Sequence, residues 1–180
     1  VAIVYPIEQY AHSYFGGINP STIFSWALAE EFVKYIMVAL IALHSKDFDE
    51  PMDAMIYLIT AALGFAALEN TLFILNPLLT GDSAQSLMTL NERFIGASLL
   101  HVVCSGIIGF CVGLQFYSGK IKRMFWRIAG IGIAIALHTL FNLFIIHENG
   151  QNTLIVFSVL WIFVLIIFLL FERIKKVQAP

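Results

Sequence analysis

The sequence predicts an all-α protein, a polytopic bundle of about five transmembrane helices that forms one membrane-embedded domain over residues 1–180. Hydrophobic residues make up 59% of the 180 residues and charged residues only 12%, about half of the charged fraction of a soluble domain. The apolar residues form long blocks, as membrane helices require, without the two-residue alternation of barrel strands. The net charge of −2 is too small to indicate a nucleic-acid partner.

Residues 1–21 are expected to form a loop or interfacial segment, since they contain Pro6, Gly16, Gly17 and Pro20. Pro20 followed by Ser21 is typical of a helix start. Five stretches of about 20 residues follow, each long enough to cross a bilayer as a helix. Their approximate bounds are 22–43, 54–75, 94–117, 125–146 and 153–171, and none has proline in its interior.

Smaller features concern packing. Cys104 and Cys111 lie seven residues apart, about 10 Å along a helix, which is too far for a disulfide, so they are expected to be apolar core residues. Gly109 and Gly113 form a G-x-x-x-G pattern, which is typical of close helix contacts and also of ordinary glycine frequency in membrane helices. Because the chain begins at Val1 without a methionine, we expect a fragment or processed form with further spans upstream.

The distribution of cations predicts the orientation in the plasma membrane. With an odd number of spans, residues 1–21, 76–93 and 147–152 share one side, and this side carries only Arg93. Cytoplasmic loops are rich in Lys and Arg, so the opposite, basic side and the C-terminus are predicted to be cytoplasmic. That basic side contains Lys46, Lys120, Lys122, Arg123, Arg173, Lys175 and Lys176.

Strongly polar residues occur inside the apolar spans, where each charge costs about 2.5–3.5 kcal/mol on insertion scales. The first span carries three of them, so we expect it to need polar partners from its neighbours. The polar residues within the spans are Glu30, Glu31, Lys34, Glu69, Asn70, His101, His138 and Asn142.

The depth of these residues predicts that they meet. At about 1.5 Å per residue, Glu30, Glu69, His101 and His138 lie roughly 9–12 Å from the non-basic end of their spans, and Asn142 about 6 Å. Groups from four helices of alternating direction therefore reach nearly one level, in the outer half of the membrane. A base, a donor pair and a semi-buried cavity are the parts of a hydrolytic site. Lys34 is expected to be a counter-ion, and Asn70 to form a helix–helix hydrogen bond.

Three ordered motifs resemble the PrsW family of glutamic-type intramembrane proteases, within the wider group of CAAX prenyl endopeptidases. They are Glu30-Glu31-x-x-Lys34, Asp47-Phe48-x-Glu50-Pro51 and Gly64-Phe65-Ala66-x-x-Glu69-Asn70, followed by Arg93, His101 and His138-x-x-x-Asn142. In the wider group the second motif ends in histidine, whereas this sequence has Glu69, as in PrsW. The resemblance spans about residues 25–145.

The resemblance implies a peptidase that cleaves membrane-tethered proteins, such as single-span anti-sigma factors, in regulated proteolysis on the extracytoplasmic side. One of Glu30 and Glu31 would activate a water, and His101 would assist as acid or base. His138 and Asn142 would stabilise the oxyanion. The role of Glu69 stays open, Lys34, Asn70 and Arg93 support the site, and no cofactor is expected. The implied partners are the substrate protein and the lipid bilayer.

Three alternatives stay open from the residues. A zinc-dependent protease would use His101, His138 and a glutamate as ligands, although the sequence has no HExxH motif. A transporter or proton relay also needs intramembrane carboxylates. A non-catalytic binding scaffold would keep all of these residues without cleaving its substrate.

Overall fold

The computed structural model describes residues 1–81, 83–147 and 153–178; within these ranges the side chains of residues 76–77, 83–95, 146–147 and 153 lie outside the description. No strand occurs in the described ranges, and the all-α prediction is confirmed. The six helices are α1 Val4–Tyr14, α2 Pro20–Ile41, α3 Asp53–Leu79, α4 Ser83–Leu114, α5 Lys120–His147 and α6 Thr153–Ile174.

Four of these helices are long and apolar enough to cross a membrane, over Asp53–Leu75, Gly96–Leu114, Lys120–Ile145 and Leu154–Ile174. They correspond to the last four predicted spans and confirm the polytopic helical bundle. The first predicted span corresponds to α2, which has 22 residues. Its length is sufficient, but Glu30, Glu31 and Lys34 make it too charged to count as a span by composition alone.

The N-terminal segment, expected to be a loop or an interfacial segment, contains helix α1 and is therefore not a loop over Val4–Tyr14. Pro6 lies in the first turn of α1, where a backbone N–H has no intrahelical partner to lose. Val4 and Ala11 are buried, and the Trp26 indole on α2 donates a hydrogen bond to the Glu8 carbonyl at 3.0 Å. The segment therefore packs against the first half of α2.

The start of α2 follows from a glycine turn and a side-chain cap. Gly16 and Gly17 have φ values of 73° and 115°, which glycine adopts without steric cost. The Asn19 side chain then accepts hydrogen bonds from the backbone N–H groups of Ser21 and Thr22, at 3.0 and 3.1 Å. Pro20 occupies the first helical position, as predicted.

The connector predicted over residues 76–93 is much shorter in the structure. Helix α3 continues to Leu79 and α4 begins at Ser83. The prediction failed here because the polarity of this segment was read as a loop signal, although its Ala, Gln, Leu, Met and Glu residues favour a helix.

Helix α4 is central, since it contacts α2, α3, α5 and α6. A Cβ atom on Gly109 would lie 2.6 Å from the Met55 Cα, and one on Gly113 would lie 2.1 Å from the Pro51 carbonyl oxygen. The G-x-x-x-G pattern therefore marks a close approach of α4 to the start of α3. Cys104, on the same helix, is buried as a free thiol, as is Cys111.

Candidate active site

Six ionisable side chains from four helices meet inside the bundle. Five of them have side chains that are at most 5% exposed, and Glu69 is 16% exposed. Charged groups buried in this way are stable only when they are paired or bind a metal. The group comprises Glu30, Glu31 and Lys34 from α2, Glu69 from α3, His101 from α4 and His138 from α5, and we call it the polar centre.

Glu31 connects α2 and α5 within the polar centre. Its Oε1 atom accepts a hydrogen bond from the Lys34 Nζ at 2.6 Å, and the His138 Nδ1 lies 2.8 Å from the same oxygen. A carboxylate only accepts, so the His138 Nδ1 carries the proton and its Nε2 has a free lone pair. Glu31 therefore orients His138 across the interface between α2 and α5.

His101 is held from both ends of its ring. The Lys34 Nζ lies 2.9 Å from its Nδ1, and its Nε2 lies 3.0 Å from the Glu69 Oε2. An ammonium group only donates, so Nδ1 is the acceptor and Nε2 donates its proton to Glu69. This defines the tautomer of His101 and gives Glu69 a structural function that the sequence left open.

Glu30 differs from Glu31 in its bonding. Among the described residues, Glu31 accepts two bonds through its Oε1, and its Oε2 is buried without a partner; Glu30 accepts no hydrogen bond, and the Glu30 Oε2 is buried as well. The same oxygen lies 3.8 Å from the His101 Nδ1 and 3.8 Å from the His138 Nε2. The acceptor nitrogens of both imidazoles thus face one unpartnered carboxylate oxygen.

The carboxylate of Glu30 and the two imidazoles also form a donor set that fits a divalent metal. Ligand atoms of Glu30, His101 and His138 lie within 4.8 Å of one another. Two imidazoles and a carboxylate form one of the ligand sets of catalytic zinc. Each histidine also donates its far N–H to a carboxylate, the arrangement that fixes metal-binding histidines. Ligand atoms of a second buried set, Glu31, Cys104 and His138, also lie within 4.8 Å of one another.

The remaining predicted residues stand apart from this group. Asn70 on α3 donates to the Ser98 hydroxyl on α4 at 3.0 Å, the helix–helix bond expected of it. Asn142 is half-buried on α5, one turn beyond His138, and no hydrogen bond links it to the polar centre within the described part of the chain. The side chain of Arg93 lies outside the described residues.

Phe65 is a contact that sequence reasoning did not assign. Its ring packs edge-on against His101 with centroids 5.3 Å apart, and the Lys34 Nζ lies 5.0 Å from its centroid. The signal was present, because Phe65 lies one turn before Glu69 and therefore on the same face of α3.

Comparison with known proteins identifies the chain's relatives. A family model described as "PrsW family intramembrane metalloprotease" matches residues 2–170. The chain is 32% identical over 118 residues to "Protease PrsW" of Geobacillus kaustophilus (strain HTA426), which covers 66% of this chain and 48% of that relative. It is 28% identical over 122 residues to "Protease PrsW" of Clostridioides difficile (strain 630), covering 67% of this chain and 50% of the relative.

"Protease PrsW" of Bacillus subtilis (strain 168) is 29% identical over 149 residues, which cover 77% of this chain and 62% of the relative. The chain thus spans about half the length of the curated relatives it matches. No solved structure gives a significant match.

Proposed function

The chain belongs to the PrsW family, and from this premise we propose that it is a peptidase that hydrolyses peptide bonds of membrane proteins at the polar centre. One observation carries the proposal. The Glu30 Oε2 is buried, has no hydrogen-bond partner in the described part of the chain, and lies 3.8 Å from an acceptor nitrogen of each histidine. A water bound there donates one proton toward Glu30 and the other toward the His138 Nε2, whose lone pair is free, and this leaves the oxygen lone pairs of the water available for attack.

In this proposal Glu30 is the general base and Glu31 is a positioning residue. The bonded oxygen of Glu31 already accepts from Lys34 and His138, so removing it from these partners would cost two buried charge-assisted bonds. The Glu30 Oε2 accepts no hydrogen bond from the described residues, so it can bind the attacking water without breaking one. It takes a proton from the attacking water and then delivers that proton to the leaving amine nitrogen, the two roles that one carboxylate can fill in turn.

His138 holds the water through the free lone pair of its Nε2, whereas the Nδ1 lone pair of His101 already accepts from Lys34, so that His101 positions Lys34 and Glu69 around the water. Glu69 keeps the His101 Nδ1 free of its own proton, and Glu31 does the same for the His138 Nε2. In this tautomer the His138 Nε2 has no proton to donate to an oxyanion. We therefore propose Asn142 as the neutral donor that stabilises the tetrahedral oxyanion, a contribution worth about 10²–10³ in rate.

A metal-dependent form of the same reaction is the second candidate. It is favoured by the convergence of Glu30, His101 and His138 within 4.8 Å and by the family's description as metalloproteases. These three residues would hold the ion, while Glu31 and Glu69 would fix the ring orientations from the far nitrogens. A bound zinc would supply Lewis acidity toward water and the scissile carbonyl.

We further propose that the chain resides in the plasma membrane with the polar centre in the extracytoplasmic half. Cations concentrate in the connector at Lys46, in the loop that leads into Lys120, and in the tail. His138 lies about 27 Å along α5 from Lys120 and only about 13 Å from the other end of the helix. This placement fits substrates whose scissile bond lies near the outer surface, such as single-span anti-sigma factors.

The test is co-expression of the chain with a tagged single-span substrate. Glu30→Gln, His101→Ala and His138→Ala are expected to abolish cleavage at protein levels equal to wild type. Lys175→Met is the matched control, since Lys175 is exposed and its salt bridge is to the exposed Glu172 on α6. Normal cleavage by Glu30→Gln would contradict the proposal, and substrate capture without cleavage by wild type would identify a scaffold. Loss of cleavage with a chelator, restored by zinc, would select the metal-dependent form.

A further inference from the structure

We propose that Lys34 is an internal competitor of the metal: its ammonium group occupies the nitrogen of His101 that a metal ion would need. The inference rests on the metal-dependent form of the proposed function. It gives Lys34 a second role, in addition to that of counter-ion to Glu31.

The first step is the single lone pair of His101. Its Nε2 donates to Glu69 at 3.0 Å, so Nδ1 is the only ring nitrogen that can bind a cation. The Lys34 Nζ already lies 2.9 Å from this atom. An ammonium proton and a metal ion cannot share one lone pair, so the Lys34–His101 hydrogen bond must break before His101 can become a ligand.

The second step is that Lys34 has somewhere to remain after the bond breaks. Its Nζ keeps the hydrogen bond to the Glu31 Oε1 at 2.6 Å, and it lies 5.0 Å from the centroid of the Phe65 ring, within the range of a cation–π contact. Release of His101 therefore requires neither the exposure of Lys34 nor the loss of its counter-ion.

The consequence is a centre that always holds a cation next to its carboxylates. Without metal, Lys34 supplies the positive charge and keeps His101 in the tautomer that a metal needs. With metal, the ion replaces the ammonium group at Nδ1. The cost of breaking a hydrogen bond to a charged group lowers the metal affinity of the chain by about tenfold to a hundredfold relative to a site without the lysine.

The experiment is titration of the purified full chain with Co²⁺, followed by its visible absorption, and with Zn²⁺ in competition. Lys34→Met removes the charge and keeps most of the side-chain volume. It is expected to bind Co²⁺ about tenfold to a hundredfold more tightly than wild type. Lys175→Met, which changes an exposed lysine, is expected to bind like wild type, and His138→Ala is expected to lose the absorption band.

Equal affinity of wild type and Lys34→Met would overturn the competition while leaving the metal centre in place. Absence of Co²⁺ binding in both would also overturn it, but peptide cleavage without metal would then still support the proposed function. Should Lys34→Met fail to fold, the ¹⁵N resonance of the His101 Nδ1 in wild type decides the question. It is expected to change from that of a hydrogen-bonded acceptor to that of a metal ligand on addition of Zn²⁺, and an unchanged resonance would refute the proposal.

Discussion

The two adjacent glutamates should differ in how much stability the chain loses when each is replaced by glutamine. Glu31 is fully buried, and its Oε1 bonds both Lys34 and His138, at 2.6 and 2.8 Å. Glutamine at this position cannot neutralise Lys34, and breaking a buried ion pair by removing one partner costs about 3–5 kcal/mol. We therefore expect Glu31→Gln to lower the free energy of unfolding by an amount in this range.

Glu30→Gln should leave stability nearly unchanged. The Glu30 Oε2 has no hydrogen-bond partner among the described residues, so the substitution removes a buried charge without breaking a bond to that oxygen. We expect the free energy of unfolding to change by less than about 1 kcal/mol. This variant should instead lose its cleavage activity.

Reversible unfolding in mixed micelles, with increasing fractions of denaturing detergent, measures both variants. The expected difference between them is at least about 2 kcal/mol, from the magnitudes given above. Glu172→Gln is the control, because Glu172 is 66% exposed in its pair with Lys175 and surface pairs contribute little. Equal losses of stability in Glu30→Gln and Glu31→Gln would refute the assignment of Glu31 as the positioning residue.

Three further outcomes follow from the structure. Gly113→Ala should lower the free energy of unfolding by about 1–3 kcal/mol, because its Cβ would lie 2.1 Å from the Pro51 carbonyl oxygen. Gly132→Ala is the control, since its Cβ would meet no neighbouring atom within 4 Å. Equal free energies of unfolding for the two variants would contradict the close packing at Gly113. A cysteine introduced at Ser118 should be labelled by an impermeant thiol reagent only in inverted membrane vesicles. Labelling of this cysteine in intact cells would contradict the proposed orientation. The native Cys104, fully buried, should react with thiol reagents only after unfolding, as mass spectrometry of labelled protein can verify.

The sequence predicted the bundle because apolar length and the cost of buried charge are properties of each segment alone. The same cost predicted that α2 needs polar partners, and the depth of each polar residue indicated which helices supply them. Helical geometry left Lys34 able to pair with either glutamate of α2. In the structure Lys34 bonds Glu31, which is also bonded by His138. His138 lies 107 positions from Glu31 in the chain, so local spacing could not predict that the two residues pair.

Other features were beyond local reasoning for different reasons. The role of Glu69 follows from the ring orientation of His101, which is set by Lys34 on a third helix. Helix α1 is stabilised by burial of Val4 and Ala11, a tertiary contribution that could not be inferred from a segment with Pro6 inside it and two glycines and a proline after it. Whether the chain binds a metal stays a prediction. The sequence led us to expect no cofactor, with zinc as an alternative, whereas the donor set formed by Glu30, His101 and His138 fits a metal ion.

The most direct test of the central claim is the single-turnover cleavage rate of a single-span substrate by the purified chain in liposomes. We expect Glu30→Gln, folded with the thermal stability of wild type, to cleave at least about 10²-fold more slowly, which is the size of the effect of losing a general base. A folded Glu30→Gln variant that cleaves at the wild-type rate would contradict the claim that this carboxylate activates the attacking water.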